Sequence, residues 1–172
     1  MGAIGTNTTG TNTTKYTVYR AGDLSGGPTG MVFYTTDKSV AEDYAKPSSF
    51  RMQGKTYKRE ARTVNEYNLS VKNPLVITNY GSDNSAALEA YRQLHPERKV
   101  ANVYDVKSLA KYAKEDGYTG KITSHNSRDI YVDWANAKAL RSSKYDAIIY
   151  NYVAGRASGS RQILMPAKRR KR

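Results

Sequence analysis

The sequence predicts a single α+β domain with a mostly antiparallel sheet. Short β-rich segments alternate with short amphipathic helices, but without the regular strand–helix–strand rhythm of a parallel sheet. The chain has 172 residues, a length that suits one domain able to bury a core. No G-x-G-x-x-G follows a predicted strand and no NTPase-type phosphate loop occurs, so classical dehydrogenases and NTPases are excluded.

The first part of the domain is predicted to be a strand, a loop, a second strand and a helix. Residues 15–20 alternate between polar and apolar side chains, and residues 31–36 are rich in β-branched and aromatic ones, so both predict strands. The ten residues between them include four glycines and a proline and predict a loop. Asp37 or Ser39 is placed to cap a short helix that ends near Ala45.

The middle of the chain is predicted to hold two strands and two helices. Residues 47–63 are basic and polar and predict a long loop. Residues 64–71 alternate, and residues 75–78 form a short apolar run, so both predict strands. Two helices follow, each with apolar residues at helical spacing and a Pro or Gly just after it. They run from Asn84 or Ser85 to Leu94 and from Asp105 to Asp116.

The C-terminal part is predicted to return to the sheet. Residues 129–133 predict a strand, and a helix is expected from Trp134 to Arg141. Residues 145–152 are the most strand-like run of the chain, and residues 162–166 predict the last strand. The predicted loops between these elements are residues 118–128 and 154–160.

The two ends of the chain are predicted to lie outside the domain, which spans residues 15–166. Residues 1–14 repeat the pentapeptide GTNTT, whose polar residues cannot offset the entropy of ordering, so they predict a flexible leader or a packing arm. Residues 167–172 form a basic tail in which adjacent like charges repel and gain little from folding. Its charged residues, Lys168, Arg169, Arg170, Lys171 and Arg172, are predicted to bind an acidic protein or a nucleic acid.

Composition excludes several classes of site and indicates the kind of partner. The net charge of +13 attracts polyanions. The absence of cysteine excludes disulfides, thiolate catalysis and sulfur-based zinc sites. His95 and His125 have no partner at metal-ligand spacing, so surface or capping roles are favoured and no metal site is predicted.

The expected location follows from what the sequence lacks. No apolar run approaches the ~20 residues that cross a bilayer, so no membrane partner is expected. The N-terminus has no signal-peptide pattern. We therefore expect an intracellular, cytoplasmic protein, or one packaged in a virion.

Three segments carry side chains suited to a flat, anionic ligand. Arg20 leaves the first strand just before Gly22, and a guanidinium there can hold phosphate or ribose. Tyr34 ends the second strand and Tyr44 lies on the next helix, so the two rings can enclose a flat ring, worth about 0.5–1.5 kcal/mol per contact. The third segment is the pair of predicted strands near the C-terminus, residues 145–152 and 162–166. Taken singly, a surface arginine, core tyrosines and plain sheet core explain them equally well or better.

Together these segments resemble the ADP-ribosyltransferase superfamily over about residues 16–166. Members carry Tyr-His-Gly or Tyr-Arg-Gly on the first strand, then an aromatic-Tyr-Ser-Thr strand end and a helix with Ala and a second Tyr. A Glu leads into an apolar strand near their C-terminus. Tyr19-Arg20-Ala21-Gly22 matches the first element here. The second is matched by Phe33-Tyr34-Thr35-Thr36-Asp37 with Ala41 and Tyr44.

The resemblance implies a split antiparallel sheet of the ADP-ribosyltransferase type, which holds NAD in its cleft. By it, Arg20 holds the ribose or phosphates of NAD, and Tyr34 and Tyr44 enclose the nicotinamide. A glycine lets the backbone approach the carboxamide, and a threonine orients the catalytic residue. The residues in these two roles are Gly22, and Thr35 or Thr36.

The chain departs from the family at the catalytic position. The family's glutamate falls just before the last strand, where either Arg161 or Gln162 takes its place, depending on a one-residue choice of register. Neither is an acid, and losing such an electrostatic group typically lowers the rate by about 10²–10³. Three alternatives stay open: a weak enzyme, an enzyme that uses Glu60 or Glu66 instead, and an inactive scaffold.

The sequence thus supports two hypotheses of different classes. The first is a phage- or toxin-type mono-ADP-ribosyltransferase that transfers ADP-ribose from NAD to an acidic protein or a nucleic acid. The second is a catalytically inactive basic module, associated with a virion, whose tyrosines stack on bases in a positive groove. A nuclease ranks below both, because no carboxylate cluster or His pair is present.

Overall fold

The computed structural model describes residues 13–168, which form four α-helices and eight strands. The strands are β1 (Thr14–Ala21), β2 (Met31–Thr35), β3 (Ser48–Met52), β4 (Lys55–Arg59), β5 (Val64–Val71), β6 (Pro74–Asn79), β7 (Ala147–Tyr152) and β8 (Arg161–Pro166). The helices are α1 (Lys38–Ala45), α2 (Asp83–Leu94), α3 (Val106–Glu115) and α4 (His125–Ser142). The predicted α+β class is confirmed.

Six of these strands form one mixed sheet in the order β5–β1–β2–β8–β7–β6. β6 and β7 are parallel, whereas the other four pairs of neighbours are antiparallel. β3 and β4 form a separate hairpin. Residues 1–12 of the predicted leader and residues 169–172 of the predicted tail lie outside the described range, while Thr14 of the leader already belongs to β1.

The connection between β5 and β6 forces the six-stranded sheet to fold over. These strands are its opposite edges, yet only Lys72 and Asn73 join them. At about 4.8 Å per strand, the edges of a flat sheet would lie about 24 Å apart, whereas three Cα steps span roughly 11 Å. The backbone N–H groups of Lys72 and Asn73 also donate to the Asp146 carboxylate, at 2.8 and 2.9 Å. The sheet therefore turns back on itself.

The bend lies between β1 and β2. Within the described part of the chain these strands pair at one position, Tyr19 opposite Thr35, whereas β1 pairs with β5 along its full length. A small apolar cluster fills the inside of the bend and includes Val18 of β1, Val71 of β5 and Ile149 of β7. The larger cluster packs α2, α3 and α4 on the other face of the sheet.

The predicted strand at residues 129–133 is wrong, because these residues belong to α4. Their β-branched and aromatic side chains are typical of a strand, and the local pattern alone favours one. Packing decides otherwise, since Tyr131, Val132 and Ala135 are buried at helical spacing in the larger cluster. A capping box of Ser124 and Ser127 starts this helix inside the predicted loop 118–128.

The predicted loop at residues 47–63 is also wrong, because it contains the β3–β4 hairpin. The strands meet at Gln53 and Gly54, whose φ angles are 52° and 77°. Two positive φ angles in succession fit the type I′ turn that two-residue hairpins prefer. The hairpin was not recognised in the sequence because residues 47–63 are mostly basic and polar, which is typical of a loop.

A partly buried ion pair connects the helices of the larger cluster. Arg98 donates to the Asp116 carboxylate, with Nη1 and Oδ2 2.9 Å apart, and to the Tyr91 hydroxyl at 2.8 Å. The Tyr131 hydroxyl donates to the same carboxylate at 2.7 Å. Burial alone would raise the pKa of Asp116, but the hydrogen bonds from Arg98 and Tyr131 hold it below its ordinary value.

Replacing Asp116 with Asn should lower the free energy of unfolding by about 3 kcal/mol, because Arg98 then stays buried without its counter-charge. The wild-type contribution is fully present above the unfolded-chain pKa of about 4 and is lost as the pH falls through the lowered pKa of folded Asp116. Urea denaturation at neutral pH measures the change. The control, Glu115→Gln at an exposed position of α3, should stay within about 0.5 kcal/mol of wild type. Equal losses in both variants would contradict the prediction.

Candidate functional site

A cleft of about 340 Å³ opens at the bend of the sheet. One wall is α1, which packs on β1 and β2, and the other is made by the start of α2 and the middle of α4. β1, β2 and β8 form its floor. The cleft brings together five of the residues that the sequence singled out: Arg20, Tyr34, Thr35, Tyr44 and Gln162.

Three other predicted residues lie next to the cleft rather than in its lining. Gly22, with φ 97°, donates its N–H to the Thr63 carbonyl at 3.2 Å. The Thr36 hydroxyl accepts from the backbone N–H of Arg161 at 2.9 Å and so joins the ends of β2 and β8. Because consecutive strand residues point to opposite faces, the register of β8 directs Gln162, and not Arg161, into the cleft.

Lys168 of the predicted tail and the two alternative acids do not line this cleft. Lys168 is exposed at the end of the described range, and Arg169 to Arg172 lie beyond it. Glu60 and Glu66, which the sequence offered as substitutes for the missing glutamate, are exposed and do not line the cleft.

Arg20 is oriented by two backbone carbonyls. Its Nε donates to the Asp23 carbonyl at 2.6 Å, and its Nη1 donates to the Phe33 carbonyl at 3.0 Å. Its Nη2 has no acceptor among residues 13–168. A guanidinium held in this way keeps donors in a fixed geometry for an anionic ligand.

Arg62 is a second cation of the cleft that the sequence did not single out. Its Nη2 donates to the Tyr44 carbonyl at 2.7 Å, but its buried Nε has no partner in the described part of the chain. Burial lowers the pKa of Arg62, as do the charges of Arg59 and Arg20. An unmet buried donor costs roughly 1–3 kcal/mol, so an acceptor on a ligand would stabilise this side chain. Arg62 was missed because it fell in the predicted loop.

The two candidate tyrosines differ in exposure to solvent. Tyr34 is 8% exposed and packs edge-on against Tyr67, with ring centroids 5.6 Å apart. Burial raises the pKa of Tyr34. Tyr44 is 50% exposed on the opposite wall. The cleft therefore combines a ring packed in the core with one that is half exposed to solvent.

A hydrogen-bonded group sits beside Gln162 at the floor of the cleft. The Tyr152 hydroxyl donates to the Asp83 carboxylate and lies 3.4 Å from Oε1 of Gln162. Asn79 donates its side-chain amide to the same oxygen of Asp83 at 3.0 Å. Asp83 is the first residue of α2, where the helix dipole favours a carboxylate.

Asp133 is a second acidic residue in the lining of the cleft, and its pKa is far from the ordinary value of an aspartate. It lies in the middle of α4, and its carboxylate accepts no hydrogen bond from any residue between 13 and 168. Burial raises the pKa of Asp133 to about 7, and the charges of Asp129 and Asp83 add to the effect. A carboxyl group that titrates near neutral pH is suited to general acid–base chemistry.

Asp133 was missed because residues 129–133 were assigned to a strand. A helical interpretation would have placed it one turn after Asp129, on the same helix face, where two like charges at i and i+4 disfavour each other. That spacing is the signal the sequence did contain.

The contribution of Asp133 to stability should become unfavourable as the pH rises from about 4 to about 7, because over this interval folded Asp133 keeps a proton that the unfolded chain releases. Asp133→Asn should flatten this decline and raise the free energy of unfolding by about 2 kcal/mol at about pH 8. Urea denaturation across the pH range measures both effects. Asp43→Asn, with a side chain 73% exposed, is the matched control. A pH profile of Asp133→Asn that follows wild type would refute the assignment.

Residues 13–168 contain no group of three His, Cys, Asp or Glu side chains placed to hold a metal ion. None of the helices in that range is both long and apolar enough to cross a membrane. No protein-family model, curated protein or solved structure matches this chain.

Proposed function

We propose that the chain binds NAD and transfers ADP-ribose to a macromolecular acceptor, as a mono-ADP-ribosyltransferase. The observation that supports this is the convergence of Arg20, Tyr34, Tyr44 and Gln162 on one cleft, although they come from separate segments of the sequence. The ADP-ribosyltransferase-like interpretation of the fold belongs to the same proposal. The bend of the sheet, with the cleft at its corner, supports it.

Arg20 and Arg62 would hold the diphosphate of NAD. Both line the cleft, and each keeps guanidinium N–H groups that no acceptor in residues 13–168 satisfies. Burial is the main cause of the lowered pKa of Arg62, and the charges of Arg59 and Arg20 lower it further, so a bound dianion would stabilise the charged guanidinium.

Tyr34 and Tyr44 would contact the nicotinamide. The cleft volume of about 340 Å³ lies at the small end of the range for small-molecule sites, about 300–1,000 Å³. The nicotinamide and its ribose therefore occupy the cleft, and the adenosine half extends past the arginines to the surface.

The reaction breaks the bond between the nicotinamide nitrogen and the ribose anomeric carbon. The electron pair leaves with nicotinamide, positive charge develops on the anomeric carbon, and a nucleophile of the acceptor bonds to that carbon and loses a proton. Gln162 can hold the ribose 2′-hydroxyl but brings no charge. Asp133 can stabilise the developing charge when ionised and can accept the proton, since its pKa is about 7. The net charge of +13 favours an acidic protein or a nucleic acid as acceptor.

NAD should bind with a Kd between about 1 μM and 1 mM, measured by isothermal titration calorimetry. Tyr44→Ala should weaken binding about tenfold through lost stacking, and Arg20→Gln should weaken it about tenfold or more through lost charge-assisted hydrogen bonds. Tyr80→Ala, at a position 77% exposed, and Arg161→Gln are the matched controls and should bind as wild type does. No heat at millimolar NAD, or equal losses in controls and cleft variants, would refute the site.

Nicotinamide release from NAD tests the catalytic assignment. Asp133→Asn should slow release by about 10² because it removes the charge near the anomeric carbon. Gln162→Glu should accelerate release by at least about tenfold because it adds a carboxylate at the floor of the cleft. Glu66→Gln should leave the rate unchanged, since Glu66 is outside the cleft.

Label transfer from radioactive NAD to protein or nucleic acid separates a transferase from a glycohydrolase, which releases nicotinamide without transfer. NAD binding without any release, even by Gln162→Glu, would show an inactive scaffold.

A further inference from the structure

The β3–β4 hairpin is a distinct surface that the cleft does not use. Within the described residues its two strands pair only with each other. Every position of β4 is exposed, as are Ser48 to Arg51 of β3. A hairpin with no covering layer is marginally stable in water, so this one gains from a partner.

The hairpin is positively charged on both faces. Residues 48–59 contain four basic residues and no acid. The strand register directs Arg51 and Lys58 to one face and Lys55 and Arg59 to the other. Arg51, Lys55 and Lys58 have no hydrogen bond or ion pair with any residue in the described range. Cations without an internal partner are available to phosphates.

Two aromatic rings lie among these charges. Phe50 and Tyr57 are opposite each other across the hairpin and stack with centroids 5.3 Å apart and planes 16° from parallel. They are 53% and 40% exposed. Exposed rings beside cations bind the bases and phosphates of a single strand, with about 1–3 kcal/mol per stacked base. A duplex hides its base faces, and an acidic peptide would use only the charges.

We propose that the β3–β4 hairpin is an arm that binds single-stranded nucleic acid. Phe50 and Tyr57 supply the stacking platform, and Lys55 and Arg59, which the strand register places on the same face as the rings, contact the phosphates. This binding is independent of NAD and of the basic tail.

The arm lies beside the cleft. Arg59, at its end, and Arg62, just after it, both donate to the Tyr44 carbonyl, at 3.1 and 2.7 Å. A single-stranded nucleic acid bound to the arm would therefore lie near the wall of the cleft that Tyr44 forms. That such a strand is an acceptor of ADP-ribose rests on the proposed function.

Fluorescence anisotropy of the full chain without NAD tests the arm. The probe is a labelled oligothymidylate of about 20 nucleotides, longer than the roughly 4–16 nucleotides one such face covers. The double variant Phe50→Ala/Tyr57→Ala should weaken binding at least tenfold. Lys55→Gln/Arg59→Gln, on the same face as the rings, should lower the slope of log K against log salt by about 1.4, at about 0.7 per lost phosphate contact.

The control Lys107→Gln/Lys121→Gln changes the net charge equally at exposed positions on and after α3. It should weaken binding less than twofold. All of these side chains are exposed, so circular dichroism should show unchanged folding.

Three outcomes would overturn the proposal. The first is that both hairpin variants bind as the control does, which would assign binding to the basic tail or to general charge. The second is equal affinity for a matched duplex, with no effect of losing the rings. The third is tighter binding to polyglutamate than to the oligonucleotide, which would assign the arm to an acidic protein. The absence of NAD binding would leave this result unaffected, because no NAD is present in the assay.

Discussion

The two residues between β5 and β6 hold opposite edges of the six-stranded sheet together, and the shape of the molecule follows from that closure. Lys72 and Asn73 cannot bridge a flat sheet, and their N–H groups are fastened to Asp146 at the start of β7. The sheet must bend, and it bends where β1 and β2 share a single pair of residues. The inside of the bend becomes a small core, and the open corner becomes the cleft.

Charges of both signs line that cleft, and this arrangement lowers the stability of the fold. Arg20 and Arg62 both line it, and a buried donor of Arg62 has no partner within residues 13–168. Partial burial, with a smaller effect of the charges of Asp129 and Asp83, raises the pKa of Asp133 to about 7. Groups held in this way lower the stability of the fold, and such costs concentrate at functional sites. The Arg98–Asp116 pair shows the contrast, because there opposite charges satisfy each other.

Tyrosine occurs both in the core and in the lining of the cleft, and the chain has 15 Tyr and only 2 Phe. In the helical layer, Tyr91 and Tyr131 pack their rings in the core and bond their hydroxyls to each other at 2.9 Å. In the cleft, Tyr34 and Tyr44 present ring surface to a ligand. An amphipathic ring suits a thin, folded sheet in which few positions are far from water.

The sequence by itself determined the class of the fold and most of its elements, because alternation, helical spacing and capping are local properties. It also singled out Arg20, Tyr34 and Tyr44, whose residue types carry their own binding chemistry. Only the tertiary structure decided that Gln162 rather than Arg161 enters the cleft, that residues 129–133 are helical, and that Arg62 and Asp133 join the site. These depend on strand register, on burial of one helix face and on contacts between distant segments. No local pattern encodes the free energy of such contacts.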